Sequence, residues 1–346
     1  MLKFYFNKRI RYSFWTFLSL SFGFFIPLAF FSLVNGVWGF TKSDELFIYS
    51  APALVYSAVN VDSKSTSLLF VGDIMLGRGV EKSVENNAGG DFSFLFEKID
   101  FIKNADISFG NLEGPVSDSG EDIGNLHSFR FLPDSLTALK EAGFDIFSVA
   151  NNHAGDWGKD AFKDSILKLK KEEILPVGGG LNKKNATSLK TIEKNGVKFG
   201  FLGFSDVGPE WMRVSEDGAG ILTTSDDYLS LIKDASQKID VLVVSFHFGE
   251  EYEEVSNSRQ KRLAREAIDN GAKIVIGHHP HIVQEIENYK DGIIAYSLGN
   301  FIFDQNFSEE TMEGIVLEII LKEGNIIEVK QNKTKLNNFF QPELIE

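Results

Sequence analysis

The chain contains no cysteine. That absence excludes a disulfide framework, thiolate metal ligands, a cysteine nucleophile and thiol redox chemistry together. Positive charge is also scarce, with 35 Lys/Arg against 49 Asp/Glu and a formal charge of −14. Residues 1–65 hold six Lys/Arg and three Asp/Glu, so the remaining chain carries −17. A segment that acidic repels polyanions non-specifically, and no nucleic-acid partner is expected. An anionic substrate would need a metal or a local basic pocket to dock against. No internal repeat is evident, and the 43% apolar content is that of an ordinary globular protein.

What is present begins with a marked N-terminus. Lys3, Lys8, Arg9 and Arg11 precede an uncharged stretch from Tyr12 to Thr41 rich in Phe and Leu. About 20 such residues cross a bilayer, and basic flanks stay cytoplasmic, so residues 1–41 are expected to form a stub and a single membrane-spanning helix kinked at Pro27. The C-terminal part would then be extracytoplasmic. A cleaved signal sequence, giving a secreted form, is the alternative. Residues 42–65 read as a linker, and residues 66–346 as the folded domain.

Within that domain, short apolar runs alternate with helical patterns. Strands are expected at Leu68–Val71, Ile107–Gly110, Ile146–Ala150, Val197–Phe204, Val241–Phe246, Lys273–Ile276 and Ile293–Ser297. Helices fall between them at Ser135–Ala142, Lys159–Lys171, Asp226–Ser236 and Ser258–Asn270, and a closing hairpin at Gly314–Leu321 and Ile326–Val329. The alternation predicts an α/β sheet. The triplet Gly178-Gly179-Gly180 reads as a turn.

Five of the six histidines lie in three segments at the ends of predicted strands: His153, His247, and the group His278, His279 and His281. Two further strand ends supply Asp73 and Glu113, and Asn152 precedes His153. Strand ends are where open α/β sheets build sites, so imidazole, carboxylate and amide groups are expected to converge on a metal centre. His279 and His281 flank Pro280. In an extended segment they would face opposite ways and serve two different ions. A binuclear centre clamps the attacking and leaving oxygens of a phosphoester displacement. Glu113 would bridge, with Asp73, Asn152 and His247 as further ligands. Without sulfur, the set suits Mn, Fe or Zn.

His153, with Asp156 three residues on, has the pattern of a carboxylate-held general acid; the alternative is a helix cap near Gly158. Arg78 and Arg130 are candidate anion contacts, or surface ion pairs. Glu253 and Glu254 read as a solvated face, whereas Glu251 and Tyr252, close behind His247, are candidate substrate contacts.

These motifs carry a resemblance. Gly72-Asp73-Ile74-Met75-Leu76 with Arg78, Asn111-Leu112-Glu113, Ala150-Asn151-Asn152-His153 with Asp156 and Gly158, and His247-Phe248-Gly249-Glu250-Glu251-Tyr252 appear in order. Gly277-His278-His279-Pro280-His281-Ile282-Val283-Gln284 and Tyr296-Ser297-Leu298-Gly299-Asn300-Phe301 complete the series. It resembles the CapA family of poly-gamma-glutamate capsule proteins over about residues 67 to 305, which is similar to the calcineurin-like metallophosphoesterases. The resemblance implies a metallophosphoesterase-like sandwich of two β-sheets flanked by helices. It also implies metal positions at Asp73, Glu113, Asn152, His247, His279 and His281, a general acid at His153, and a substrate-facing Asn300. Two departures from metallophosphoesterases stand out: Met75 occupies a position where they place histidine, and Glu113 one where they place aspartate. By the same resemblance the expected partners are an anionic polymer or envelope substrate and membrane-embedded capsule synthesis subunits.

Overall fold

A computed structural model describes residues 65–345, together with the backbone of 38–42 and 45–49. Those two short segments pair antiparallel as a hairpin, Trp38–Lys42 with Glu45–Tyr49, in a unit separate from the domain. The rest of the expected membrane span and linker lies outside the described residues. No helix among the described residues is long and apolar enough to cross a membrane.

The domain is built on two sheets. In the first, strands Ser65–Ile74, Ile107–Leu112, Ile146–Ser148 and Leu175–Val177 run parallel in sequence order. On the other side of Ser65–Ile74 come Glu313–Lys322, Asn325–Leu336 and Pro342–Leu344, all antiparallel. The second sheet has a parallel centre of Val197–Ser205, Val241–His247, Ile274–His278 and Gly292–Ala295, with antiparallel edges Lys190–Lys194 and Ile286–Tyr289.

Burial explains the layers. Leu68, Phe70, Ile107 and Phe109 of the first sheet share one core with Phe199, Phe201, Val243 and Ile276 of the second, so the sheets pack face to face. Phe109 stacks on Phe201 across that layer, with ring centroids 6.2 Å apart. The outer face of the first sheet is covered by helices Arg78–Ala88, Ser135–Glu141 and Gly158–Lys171, and that of the second by Tyr228–Ser236 and Ser258–Asp269. The expected sandwich of two sheets with helices outside is therefore the observed architecture.

Local chemistry sets the element ends. In Ser258–Asp269, Leu263, Ala264, Ala267 and Ile268 form the buried stripe. An Asn257–Gln260 capping box starts the helix, and Gly271 follows at φ 104°. The 107–112 strand runs past its predicted end into Asn111 and Leu112, and Ile274–His278 runs on to His278. Both extensions carry polar residues that water would normally hold, and both lead into the site. Gly179–Gly180 forms a two-residue strand paired with Gly220–Ile221 rather than a simple turn. The predicted closing hairpin is longer than its apolar pattern, because Lys330–Lys335 continues the pairing.

Candidate metal centre at the strand ends

The carboxyl ends of the parallel strands from both sheets meet at one place. Asp73 closes the first strand, Glu113 follows Ile107–Leu112, and Asn152 and His153 follow Ile146–Ser148. His247 ends its strand, in register with His278 on the neighbouring one. Two glycines permit this convergence. A Cβ on Gly72 would stand 1.9 Å from the Gly299 carbonyl oxygen, and one on Gly277 would stand 2.0 Å from that of Tyr296. Bare backbone at these points lets the chain segments carrying Asp73, Asn300 and the histidines approach. Asn300 is paired in register with Asp73.

Side-chain distances define the centre. His281 Nδ1 lies 3.3 Å from Asp73 Oδ2, and His278 Nδ1 lies 3.2 Å from Asp73 Oδ1. His247 Nε2 lies 2.7 Å from Asn152 Oδ1 and 3.4 Å from Glu113 Oε1. Asn111 Nδ2 donates to Asp73 Oδ1 at 2.8 Å and also to Glu113 Oε2, so one amide holds both acids. Two groups offer ligand atoms within 4.8 Å of one another: Asp73, Glu113 and His247, and Glu251, His279 and His281.

The expected opposition of His279 and His281 is corrected here. Both residues have positive φ, 102° and 59°, so the segment is not extended and the two imidazoles turn toward a common group. Met75, two residues past Asp73, points into the core instead, and its Sδ accepts from Gly77 N at 3.2 Å.

The electrostatics suit a cation. Burial alone would raise Asp73, but the His278 and His281 imidazoles beside it reverse this and hold its carboxyl well below the usual range. Burial, with the nearby imidazoles, pushes His247 well down; burial and His281 bring His279 to about 4. Both are thus neutral near pH 7, the form that binds metal. Glu113 goes the other way, raised well above the usual range by burial and then by Asp73. Buried Glu113 Oε1, His247 Nδ1 and His279 Nδ1 have no hydrogen-bond partner. Orphaned buried donors and acceptors are costly, and a divalent cation would satisfy the oxygen and nitrogen lone pairs among them. The residues present therefore fit a metal of borderline or hard character.

At the mouth, His153 Nδ1 lies 2.7 Å from Asp156 Oδ2, and the Phe129 ring lies 4.0 Å from the imidazole. Asp156 also accepts from Phe129 N and Asn125 Nδ2, both at 2.8 Å, which fixes its carboxylate. Tyr252 forms part of the rim; burial, then the Glu251 charge, pushes its hydroxyl up to about 12. Arg78 is paired with Asp304 through Nη2 at 2.6 Å and Nε at 3.1 Å, and the Arg130 guanidinium carbon lies 3.6 Å from the centre of the Trp157 ring. Each arginine thus already has a partner. Asn111, which no sequence expectation singled out, stands two residues from Glu113 and reaches that acid and Asp73. His278, named with the strand-end histidines but given no role, stands against Asp73.

Fold and site together define a two-sheet α/β protein with a candidate metal centre of oxygen and imidazole donors. The chain belongs to the family described as bacterial capsule synthesis protein PGA_cap, which matches residues 67–305. It is similar to capsule biosynthesis protein CapA of Bacillus anthracis, with 35% identity over 276 residues covering 77% of this chain and 66% of that protein. It is also similar to PGA biosynthesis protein CapA of Bacillus subtilis strain 168, with 33% identity over 305 residues covering 86% and 76%. Among solved structures, a phosphatase from Mycoplasma pneumoniae matches at 15% identity and a TM-score of 0.48, covering 78% of this chain and 93% of that one.

Proposed function

We propose that the protein takes part in synthesis, export or retention of an anionic capsule polymer such as poly-gamma-glutamate, working outside the membrane from an N-terminal anchor beside membrane-embedded synthesis subunits. In this reading Asp73, Glu113, Asn152, His247, His279 and His281 hold two divalent cations, Mn, Fe or Zn. Bound cations would supply the positive charge and Lewis acidity that polymer carboxylates require in an otherwise acidic domain. The observation that carries the reading is the convergence of these ligand-type side chains, several with unsatisfied buried atoms, in a chain of a capsule-synthesis family. Asn152 Oδ1 and His247 Nε2 lie 2.7 Å apart, so the two expected ligands reach the same point. Tyr252 stands beside His281 to orient substrate, whereas Asn300, expected to face substrate, is buried with its amide fully engaged and instead holds the His281 ring.

One observation favours a second reading, a metal-dependent phosphoesterase acting on an envelope substrate. With Asp156 against His153 Nδ1, only Nε2 is left to exchange a proton with a leaving group. One experiment separates the two. The full chain is passed over immobilised poly-gamma-glutamate with Mn2+ or with a chelator, and in parallel assayed on phosphodiesters. Retention that needs metal, with no turnover, is the expected result. Turnover abolished by His153→Ala would replace the capsule reading with the hydrolase, and retention indifferent to chelation would refute the metal's role.

A further inference from the structure

Glu251 lies on the loop after the His247 strand, at the rim, and an exposed glutamate is ordinarily only a solvated charge. Its surroundings are not ordinary. Tyr252 N donates to the Pro280 carbonyl at 2.9 Å, which ties this loop to the turn carrying His279 and His281. A Glu251 carboxylate oxygen and one nitrogen from each histidine all lie within 4.8 Å of one another.

The two imidazoles are prepared for a ligand. His279 is 7% exposed, and its buried Nδ1 has no partner. His281 is more constrained. Asn300 Nδ2 donates to the Thr311 carbonyl at 2.9 Å and to Gln305 Oε1 at 3.0 Å, so the amide oxygen must face the ring. That oxygen accepts from His281 Nδ1 at 3.1 Å, which leaves the lone pair on Nε2. An outer partner fixing the tautomer of a histidine is the usual support of a metal ligand. Met75 offers the first strand's position nothing, since its sulfur is buried and engaged by Gly77.

We infer that Glu251 is a metal ligand, forming with His279 and His281 a two-imidazole, one-carboxylate cation position beside the Asp73, Glu113 and His247 group. Two nitrogens and one carboxylate with coordination left open is the donor pattern of a site that also receives substrate. The carboxylate previously assigned to substrate contact thus acts one step earlier, through the ion. This inference rests on the metal reading of the same site.

The test is a Mn2+ titration of the full chain, stripped by chelation, with bound metal counted by mass spectrometry. Wild type should take up two ions, and Glu251→Gln should weaken one binding step by at least about tenfold while the other is kept. Glu251→Asp should recover part of the lost affinity, and the metal-free melting temperature of both variants should match wild type, because residue 251 is exposed. Two undiminished binding steps in Glu251→Gln would overturn the inference and leave the metal centre standing. No metal bound by wild type would overturn both.

Discussion

Replacing Glu113 by glutamine should make the protein more stable and less responsive to metal at the same time. Glu113 is fully buried, its Oε1 lacks a partner, and the Asp73 carboxylate is held by the same Asn111 amide. A carboxyl kept protonated above its ordinary range costs wild type about 1.4 kcal/mol for each pH unit, a cost that a glutamine amide, which cannot ionise, does not carry. At about 2 °C per kcal/mol for a domain of this size, one to two such units place the metal-free Glu113→Gln about 3–6 °C above wild type. The sign of its pH dependence follows from the raised carboxyl. Its contribution to stability is complete below the ordinary glutamate value and is lost as pH climbs through the raised one. His247 and His279, whose values are depressed, act oppositely as pH falls below the ordinary histidine range, and they are common to both proteins. The gap in melting temperature between variant and wild type should therefore widen from pH 5 to pH 8. Metal should reverse the order, because a ligand at 100 times its Kd adds about 2.7 kcal/mol to wild type and little to a variant lacking the shared carboxylate. Scanning fluorimetry at the two pH values, with chelator and with Mn2+, measures all of this. A metal-free variant that melts lower than wild type, or that gains as much from Mn2+, would refute the reasoning.

Two further outcomes are expected. Phe109→Ala removes a ring that packs on Phe70, Phe201 and His278 between the sheets, and should cost about 3–5 kcal/mol in denaturant unfolding, with metal affinity falling as the His278 ring loses its stacking surface. Protease added outside intact cells should digest the domain while a cytoplasmic marker survives; full protection would disprove the proposed orientation.

Most of the architecture was legible because parallel strands buried on both faces read as apolar runs, as in Val241–Phe246, and amphipathic helices such as Ser258–Asp269 separate them. The site was legible where a lone acid or histidine broke such a run at its end, as Asp73, Glu113 and His247 do. It was not legible where backbone conformation decides direction. A spacing of two predicts opposed side chains only in an extended chain, and left-handed residues 279 and 281 violate that premise. Nor does a sequence show that Arg78 is already claimed by Asp304, 226 residues away.

The strand that ends in Asp73 is joined on its other side to Glu313–Lys322, with Leu317 opposite Phe70. The chain must be made through residue 322 before that neighbour exists. A molecule interrupted during translation or translocation would leave its Asp73 strand with an open hydrogen-bonding edge. The edge that positions Asp73 is thus closed by residues more than two hundred positions downstream, and the centre waits for them.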